Sequence, residues 1–190
     1  ALCWEPKPGN WPLMPNLRLV HSVAAGVDHI LEDPTLPADV PLARIRDPHM
    51  ASAMAAYVTW AVTSGHRGMD RYAQQQRDRQ WKQLDTRLAG DVRVGILGLG
   101  ELGGKVAQDL VRFGYRVSGW SRRPRRVENV RCLHGEDGLR ELLPQTDVLF
   151  CVLPSTPETR HLLDAETLAL LPDDAALINA GRGSLIDEEA

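Results

Sequence analysis

No stretch of this sequence stays apolar for the roughly 18–20 residues that a membrane-spanning helix requires, and no secretory leader pattern opens it. No charge of one sign dominates either. Lys and Arg number 22 against 25 Asp and Glu, a formal net charge of −3. A chain with no global positive field is not drawn to nucleic acid or to an anionic membrane, so any basic function is local. Cysteine is scarce: Cys3, Cys132 and Cys151 stand without CxxC spacing. That pattern supplies neither a disulfide framework nor a metal site, and it fits free thiols in a reducing compartment. The expectations are a cytoplasmic protein, no metal, and neither nucleic acid nor membrane as partner. Internal repeats and low-complexity tracts are missing too.

What is present is an ordinary globular balance. The 190 residues are 43% hydrophobic and 25% charged, enough to bury a core in one large domain, or in one domain and a piece of another. Eight prolines (Pro6, Pro8, Pro12, Pro15, Pro34, Pro37, Pro41, Pro48) break the first stretch. Between them, 17–23 and 40–45 read as short strands, too little to close a domain alone. Met50, Met54, Tyr57, Val58, Ala61 and Val62 then recur at helical spacing, with Gly65 a candidate end. The polar run from Asp70 to Lys82 reads as a solvated helix, and 85–91 as a connection.

From Val92 onward the pattern alternates. Residues 92–97 form an apolar strand, followed by a glycine-rich turn. The next helix sets Val106, Leu110 and Phe113 on one face and stops at Gly114. Residues 116–120 are a strand, 137–143 a helix opening on acidic residues, and 148–153 a strand apolar enough for a buried parallel sheet. A helix over 164–171 and a strand over 175–179 complete the series. Strands alternating with helices predict an α/β, Rossmann-type, doubly wound parallel sheet. The expected division is a partial substrate domain over 1–48 and a dinucleotide-binding domain over 49–190. Asp187-Glu188-Glu189-Ala190 reads as the first turn of a helix, so the expectation is a fragment of a longer chain.

Gly98-Leu99-Gly100-Glu101-Leu102-Gly103 fits GxGxxG and lies between a strand and a helix, the context that gives the motif its force. Gly98 allows the tight turn, Gly100 lets a pyrophosphate approach the backbone, and Gly103 lets helix and strand pack closely. Amides at Leu102 and Gly103 then face the phosphates. A P-loop is rejected. Gly104-Lys105 is followed by Val106, where Ser or Thr should hold magnesium, and Leu99 stands where the first P-loop glycine belongs. At the end of the next strand, Ser121-Arg122-Arg123-Pro124-Arg125-Arg126 replaces the acidic residue that would accept from the ribose 2′-hydroxyl. A guanidinium binds a 2′-phosphate in a charge-assisted fork. The expectation is therefore NADP(H) in preference to NAD(H), held by Ser121, Arg122 and Arg123. A nucleic-acid patch at these arginines is disfavoured by the net charge and the lack of interleaved aromatics.

The chain resembles the D-isomer-specific 2-hydroxyacid dehydrogenases. The resemblance rests on 22–28 (SVAAGVD), 54–58 (MAAYV), 95–100 (GILGLG), 153–159 (LPSTPET) and 178–183 (INAGRG). Cys3-Trp4-Glu5-Pro6 and Trp120-Ser121-Arg122 are similar to a branch that reduces glyoxylate and hydroxypyruvate. The resemblance implies that 1–48 is part of a flavodoxin-like substrate domain. It implies that Arg182 is catalytic, gripping the substrate carboxylate and polarising its 2-oxo group. The Ala25 and Gly26 amides would hold the carboxylate, and Trp4 would line the pocket, with core packing as its alternative. Leu153, Pro154, Thr159, Ala180 and Gly181 would face the cofactor. A histidine acid/base and a glutamate partner would lie downstream of Ala190, and none of the six histidines present sits in the matching motif. A homodimer built around the 50–62 helix is also implied. The implied activity is NADPH-dependent reduction of a small 2-oxo acid, with a non-catalytic dinucleotide sensor or corepressor-like module as the alternative.

Overall fold

The computed structural model describes residues 1–190, and the chain divides into two compact units, Ala1–Pro48 and His49–Ala190. The first unit is a three-stranded parallel sheet. Strands β1 (Leu2–Cys3), β2 (Val20–Ser22) and β3 (Leu42–Arg44) lie in that order, with Cys3 beside Ser22 and Ser22 beside Arg44. A short helix, α1 (Asp28–Leu31), follows β2. Strands of two or three residues fit a stretch so rich in proline, which removes ladder donors. The unit nevertheless has its own small core of Trp11, Val20 and Ile30. Asp33 ties its loops together by accepting from the Gly9 amide at 2.9 Å and from the Thr35 amide and hydroxyl.

The second unit begins at the second residue of α2 (Pro48–His66), which is followed by α3 (Met69–Arg77). Its sheet contains β4 (Arg93–Leu97), β5 (Arg116–Ser121), β6 (Arg131–His134), β7 (Val148–Cys151) and β8 (Ala176–Asn179). They are all parallel, in the order β6-β5-β4-β7-β8. Three helices lie in the crossovers: α4 (Glu101–Arg112) between β4 and β5, α5 (Gly135–Leu142) between β6 and β7, and α6 (Ala165–Leu168) between β7 and β8. Strand order reverses at β4, so β4 and β7 form the switch point at which such sheets open a crevice beyond their carboxyl ends.

Strand periodicity of two divides the core. Val94, Ile96 and Phe150 pack with Val58, Val62, Val106 and Leu110. Leu97, Leu149 and Cys151 pack with Trp120, Leu139, Leu142, Leu163 and Leu185. At the amino ends of the strands, Asp147 accepts from the Arg93 guanidinium at 2.6 Å and from Arg87 at 2.8 Å. Partial burial pushes the Asp147 carboxyl up, but hydrogen bonds from Arg93 and Arg87 outweigh this and hold it well below the usual carboxylate range.

Several local expectations are corrected. Helix α2 buries Ala51, Ala55, Val58 and Val62, while Tyr57 and Trp60 are exposed. Ala55, Val58 and Val62 join the core cluster of the sheet, which leaves the bulkier Tyr57 and Trp60 on other faces of the helix. Phe113 is 62% exposed because α4 ends there, one residue before Gly114 reverses the chain with φ +87°. Strands β1 and β6 are not apparent in the pattern; both lie at sheet edges, where apolar periodicity is weakest. Helix α6 is a single turn, and 187–190 forms a turn in place of a helix, with the Ala190 amide donating to the Asp187 carbonyl.

Candidate functional site

Four loops gather at the carboxyl edge of the larger sheet, and each bears residues singled out from the sequence. The first is the glycine turn between β4 and α4. Gly98 has φ +111°, a region that L side chains rarely enter, and its amide donates to the Trp120 carbonyl at 2.8 Å. A Cβ on Gly103 would strike the Gly98 carbonyl oxygen, so helix and turn touch backbone to backbone. A Cβ on Gly100 would meet nothing within 4 Å. Space thus stands open beside Gly100, the N-cap of α4, which makes no side-chain capping bond. The first helical bond runs from the Gly104 amide to the Gly100 carbonyl, so the Leu102 and Gly103 amides have no acceptor in the helix. Open space against uncapped amides at the positive end of a helix dipole is what an anionic diphosphate requires.

The second loop leaves β5. The Ser121 hydroxyl donates to the Arg123 carbonyl at 2.8 Å and so folds the turn on itself. Arg122 and Arg123 are both exposed. Arg122 Nη1 lies 3.5 Å from Glu158 Oε2. A hydrogen bond from Thr156 holds the Glu158 carboxyl below its ordinary range, with the Arg122 charge adding to the effect. Trp120, Arg122, Leu153, Pro154, Glu158 and Thr159 are among the residues lining a groove of about 670 Å³.

The third loop, 152–163, is braced from within. Thr159 is nearly buried, and its hydroxyl donates to the Pro154 carbonyl at 2.7 Å and accepts from the Thr156 amide at 2.9 Å. Its hydroxyl therefore shapes the loop, while Leu153 and Pro154 supply the surface. The fourth loop carries Arg182 after β8. Asn179 folds it: Oδ1 accepts from the Gly181 amide at 3.0 Å and Nδ2 donates to the Arg182 carbonyl at 2.9 Å. The Ala180 amide donates to the Cys151 carbonyl, continuing the ladder from β7. The third and fourth loops are joined. His161 donates from its amide to the Ser184 carbonyl at 2.8 Å, and the Ser155 and Ser184 hydroxyls lie 3.0 Å apart. A Cβ on Gly181 would collide with the Leu153 carbonyl oxygen at 2.7 Å. The half-buried Arg182 is thereby set on a rigid base, with Nη1 donating to the Gly181 carbonyl at 3.1 Å.

In the first unit, the carboxyl ends of β1 and β2 bring Trp4 and the 23–26 loop to one edge of the small sheet. Trp4 is 65% exposed. The His29 ring donates to the Trp4 carbonyl at 2.5 Å. Ala25 and Gly26 lie in the turn after Ser22. Asn179, Glu158 and Ser184 lie inside or beside motifs read from the sequence; Asn179 folds its own turn, while the contacts of Glu158 and Ser184 join different loops, and no spacing rule announces them. Of the histidines, His66 is spent on structure: Nε2 donates to the Arg87 carbonyl at 2.7 Å, and Nδ1 accepts from the Tyr115 hydroxyl at 3.1 Å.

Residues 59–190 match the family model for the D-isomer specific 2-hydroxyacid dehydrogenase, NAD binding domain. The chain belongs to this family. It is 39% identical over 193 residues to the glyoxylate/hydroxypyruvate reductase A of Photorhabdus laumondii, an alignment covering 99% of this chain and 62% of that protein. The reductase of the same name from Serratia proteamaculans is 37% identical over 100% of this chain and 62% of its own. Among solved structures, a D-isomer specific 2-hydroxyacid dehydrogenase from Xanthobacter autotrophicus Py2, in complex with NADPH and MES, superposes with a TM-score of 0.95 at 42% identity. It is matched over 100% of this chain and 60% of that one. An NADPH-dependent glyoxylate/hydroxypyruvate reductase from Sinorhizobium meliloti, in complex with NADP and sulfate, gives a TM-score of 0.91 at 38% identity, over 100% of this chain and 61% of that one. The chain thus spans about three-fifths of the length of these relatives. No helix is long and apolar enough to cross a membrane.

Proposed function

We propose that the full-length protein is an NADPH-dependent reductase of a small 2-oxo acid such as glyoxylate or hydroxypyruvate, with 1–48 contributing to a substrate domain and 49–190 forming the dinucleotide-binding domain. The observation that carries this reading is the placement of Arg182. Its turn is bonded to the loop that, with the glycine turn and the Ser121–Arg123 segment, rims the carboxyl edge of one sheet. Relatives named for this activity, and related structures holding NADPH or NADP, support it.

Open space at Gly100 and the Leu102 and Gly103 amides fit a pyrophosphate. Ser121, Arg122 and Arg123 fit a 2′-phosphate, since guanidinium groups attract it where a carboxylate would repel it. Leu153, Pro154, Ala180 and Gly181 give the remaining cofactor surface, with Thr159 bracing it. When bound, the reduced dinucleotide supplies the hydride. Arg182, permanently charged and planar, grips the substrate carboxylate, polarises the 2-oxo oxygen and stabilises the negative charge that develops there. In the first unit, taken by itself, the Ala25 and Gly26 amides are assigned as carboxylate donors and Trp4 as a substrate-facing residue.

The test is initial-rate assay of the full-length protein with NADPH and NADH against glyoxylate, hydroxypyruvate and pyruvate. NADPH oxidation with the first two substrates is expected; a clear preference for NADH would overturn the assignment of Ser121 to Arg123. Arg182→Ala is expected to lower kcat/KM by about 10²–10³, the scale for removing one group that stabilises developing negative charge, with NADPH binding unchanged. Full activity in that variant would remove Arg182 from the chemistry.

Homodimer formation is part of the same reading, since α2 turns the paired rings of Tyr57 and Trp60 outward, 6.0 Å apart. So is a cytoplasmic setting. All three cysteines are free, and burial pushes the Cys151 thiol up to about 11, as suits an inert thiol in a reducing compartment.

A further inference from the structure

The loop leaving β2 uses its backbone groups unevenly. The Val23 amide donates to the Cys3 carbonyl at 2.9 Å. The Ala24 amide donates to the hydroxyl of Ser22, a fully buried residue, at 3.1 Å. The next two amides, those of Ala25 and Gly26, meet no acceptor within the unit. The Ala25 carbonyl, by contrast, is held: Arg44 Nη1 donates to it at 2.9 Å. Arg44 ends β3, and the parallel register sets it beside Ser22, at the root of the same loop.

A trans peptide is planar, with the carbonyl of one residue and the amide N–H of the next pointing in opposite directions. Anchoring the Ala25 carbonyl on Arg44 therefore fixes where the Gly26 N–H points, which is away from the guanidinium. Without that anchor the peptide plane next to Gly26 is free to turn, because glycine tolerates most backbone angles. The bond is also charge-assisted, and hydrogen bonds in a chain polarise one another. A carbonyl held by a guanidinium makes its own peptide N–H a stronger donor.

We propose that Arg44 is a positioning residue: by holding the Ala25 carbonyl, it aims and strengthens the Gly26 amide as a donor to the carboxylate of a small 2-oxo acid. The proposal rests on the reading of Ala25 and Gly26 as carboxylate ligands. Arg44 is exposed, so solvent screens its charge at longer range. Its effect runs through the peptide it touches.

The probe is oxalate, a small dicarboxylate that hydride does not reduce. It is titrated into the full-length protein with NADPH bound, and the glycine amides are followed by ¹⁵N NMR. In the wild type, the Gly26 resonance is expected to move as oxalate binds. Arg44→Met is expected to shift that resonance before oxalate is added and to weaken oxalate about tenfold, the scale of one charge-assisted hydrogen bond. Arg44→Lys should recover part of the loss, and NADPH affinity should be equal in all three proteins. With glyoxylate as substrate, KM should rise in Arg44→Met while kcat changes little. Unchanged oxalate affinity in Arg44→Met, or a Gly26 resonance that ignores oxalate in the wild type, overturns the proposal. A fall in kcat at constant KM does so too. Loss of oxalate binding in Arg44→Met without glyoxylate turnover in the wild type would uphold Arg44 and overturn the proposed activity instead.

Discussion

Arg122 has two claims on its guanidinium. In the structure it faces Glu158 at 3.5 Å across the groove, with both side chains about 60% exposed; in the proposed complex it faces a 2′-phosphate. Glu158 stays ionised, because Thr156 holds its carboxyl below the ordinary range. It therefore competes with the phosphate for Arg122 and repels it as well. Glu158→Gln is expected to tighten NADPH two- to fivefold, the upper range for an exposed ion pair, and to leave NADH unchanged. Fluorescence titration of the two cofactors checks this. Equal tightening of both would place Glu158 against the shared part of the dinucleotide. Arg122→Ala should act in the opposite sense and weaken NADPH alone.

At the scale of elements, the glycine turn and the amino-end clamp carry separate burdens. A side chain at Gly103 must push α4 away from the Gly98 carbonyl. Gly103→Val is expected to cost about 1–3 kcal/mol of stability, as overpacking does, and to abolish dinucleotide binding. Gly104 faces open space, so Gly104→Ala should bind dinucleotide normally. Chemical denaturation and cofactor titration of the two variants separate these effects. Asp147 joins β7, β4 and the 87–91 connection through Arg93 and Arg87. Its carboxyl is depressed in the folded state. The stability it contributes is therefore fully present above the unfolded value near pH 4 and drains away as pH falls toward the folded value. Asp147→Ala should destabilise the wild-type fold by about 2 kcal/mol at neutral pH, the scale of lost hydrogen bonds to charged groups. Below pH 4, the difference between variant and wild type should shrink. A gap in urea midpoints that stays constant from pH 7 to pH 3 would contradict the assignment.

For the whole molecule, α2 is the informative surface. Its small residues Ala51, Ala55, Val58 and Val62 face inward, while Tyr57 and Trp60 lie exposed with their rings in tilted contact. Large aromatic rings exposed together on a helix mark an interaction face more often than isolated ones do. The full-length protein is expected to run at twice its chain mass in light scattering. Trp60→Glu is expected to reduce it to the monomer mass, since a carboxylate buried at such a face has no partner. A wild-type protein already at monomer mass would end that reading.

The larger sheet and the glycine turn were legible in the linear pattern because they depend on local rules. Apolar runs such as Val148–Cys151 mark doubly buried strands, and Gly98 and Gly103 answer steric demands within a few residues of themselves. The arginines after Ser121 were legible too, since their position follows from the end of β5. What only the tertiary structure decided is orientation and pairing. Which side of α2 is buried is set by the core that Ala55, Val58 and Val62 join, and Phe113 is exposed because its helix ends at Arg112, just before it. The edge strands β1 and β6 draw their pairing from neighbours and show little of it in their own composition. Arg44 on Ala25, Glu158 on Arg122 and Ser184 beside Ser155 are contacts between segments far apart along the chain. A sequence pattern records what each residue prefers, but such contacts arise only when parallel strands bring their ends to a common edge.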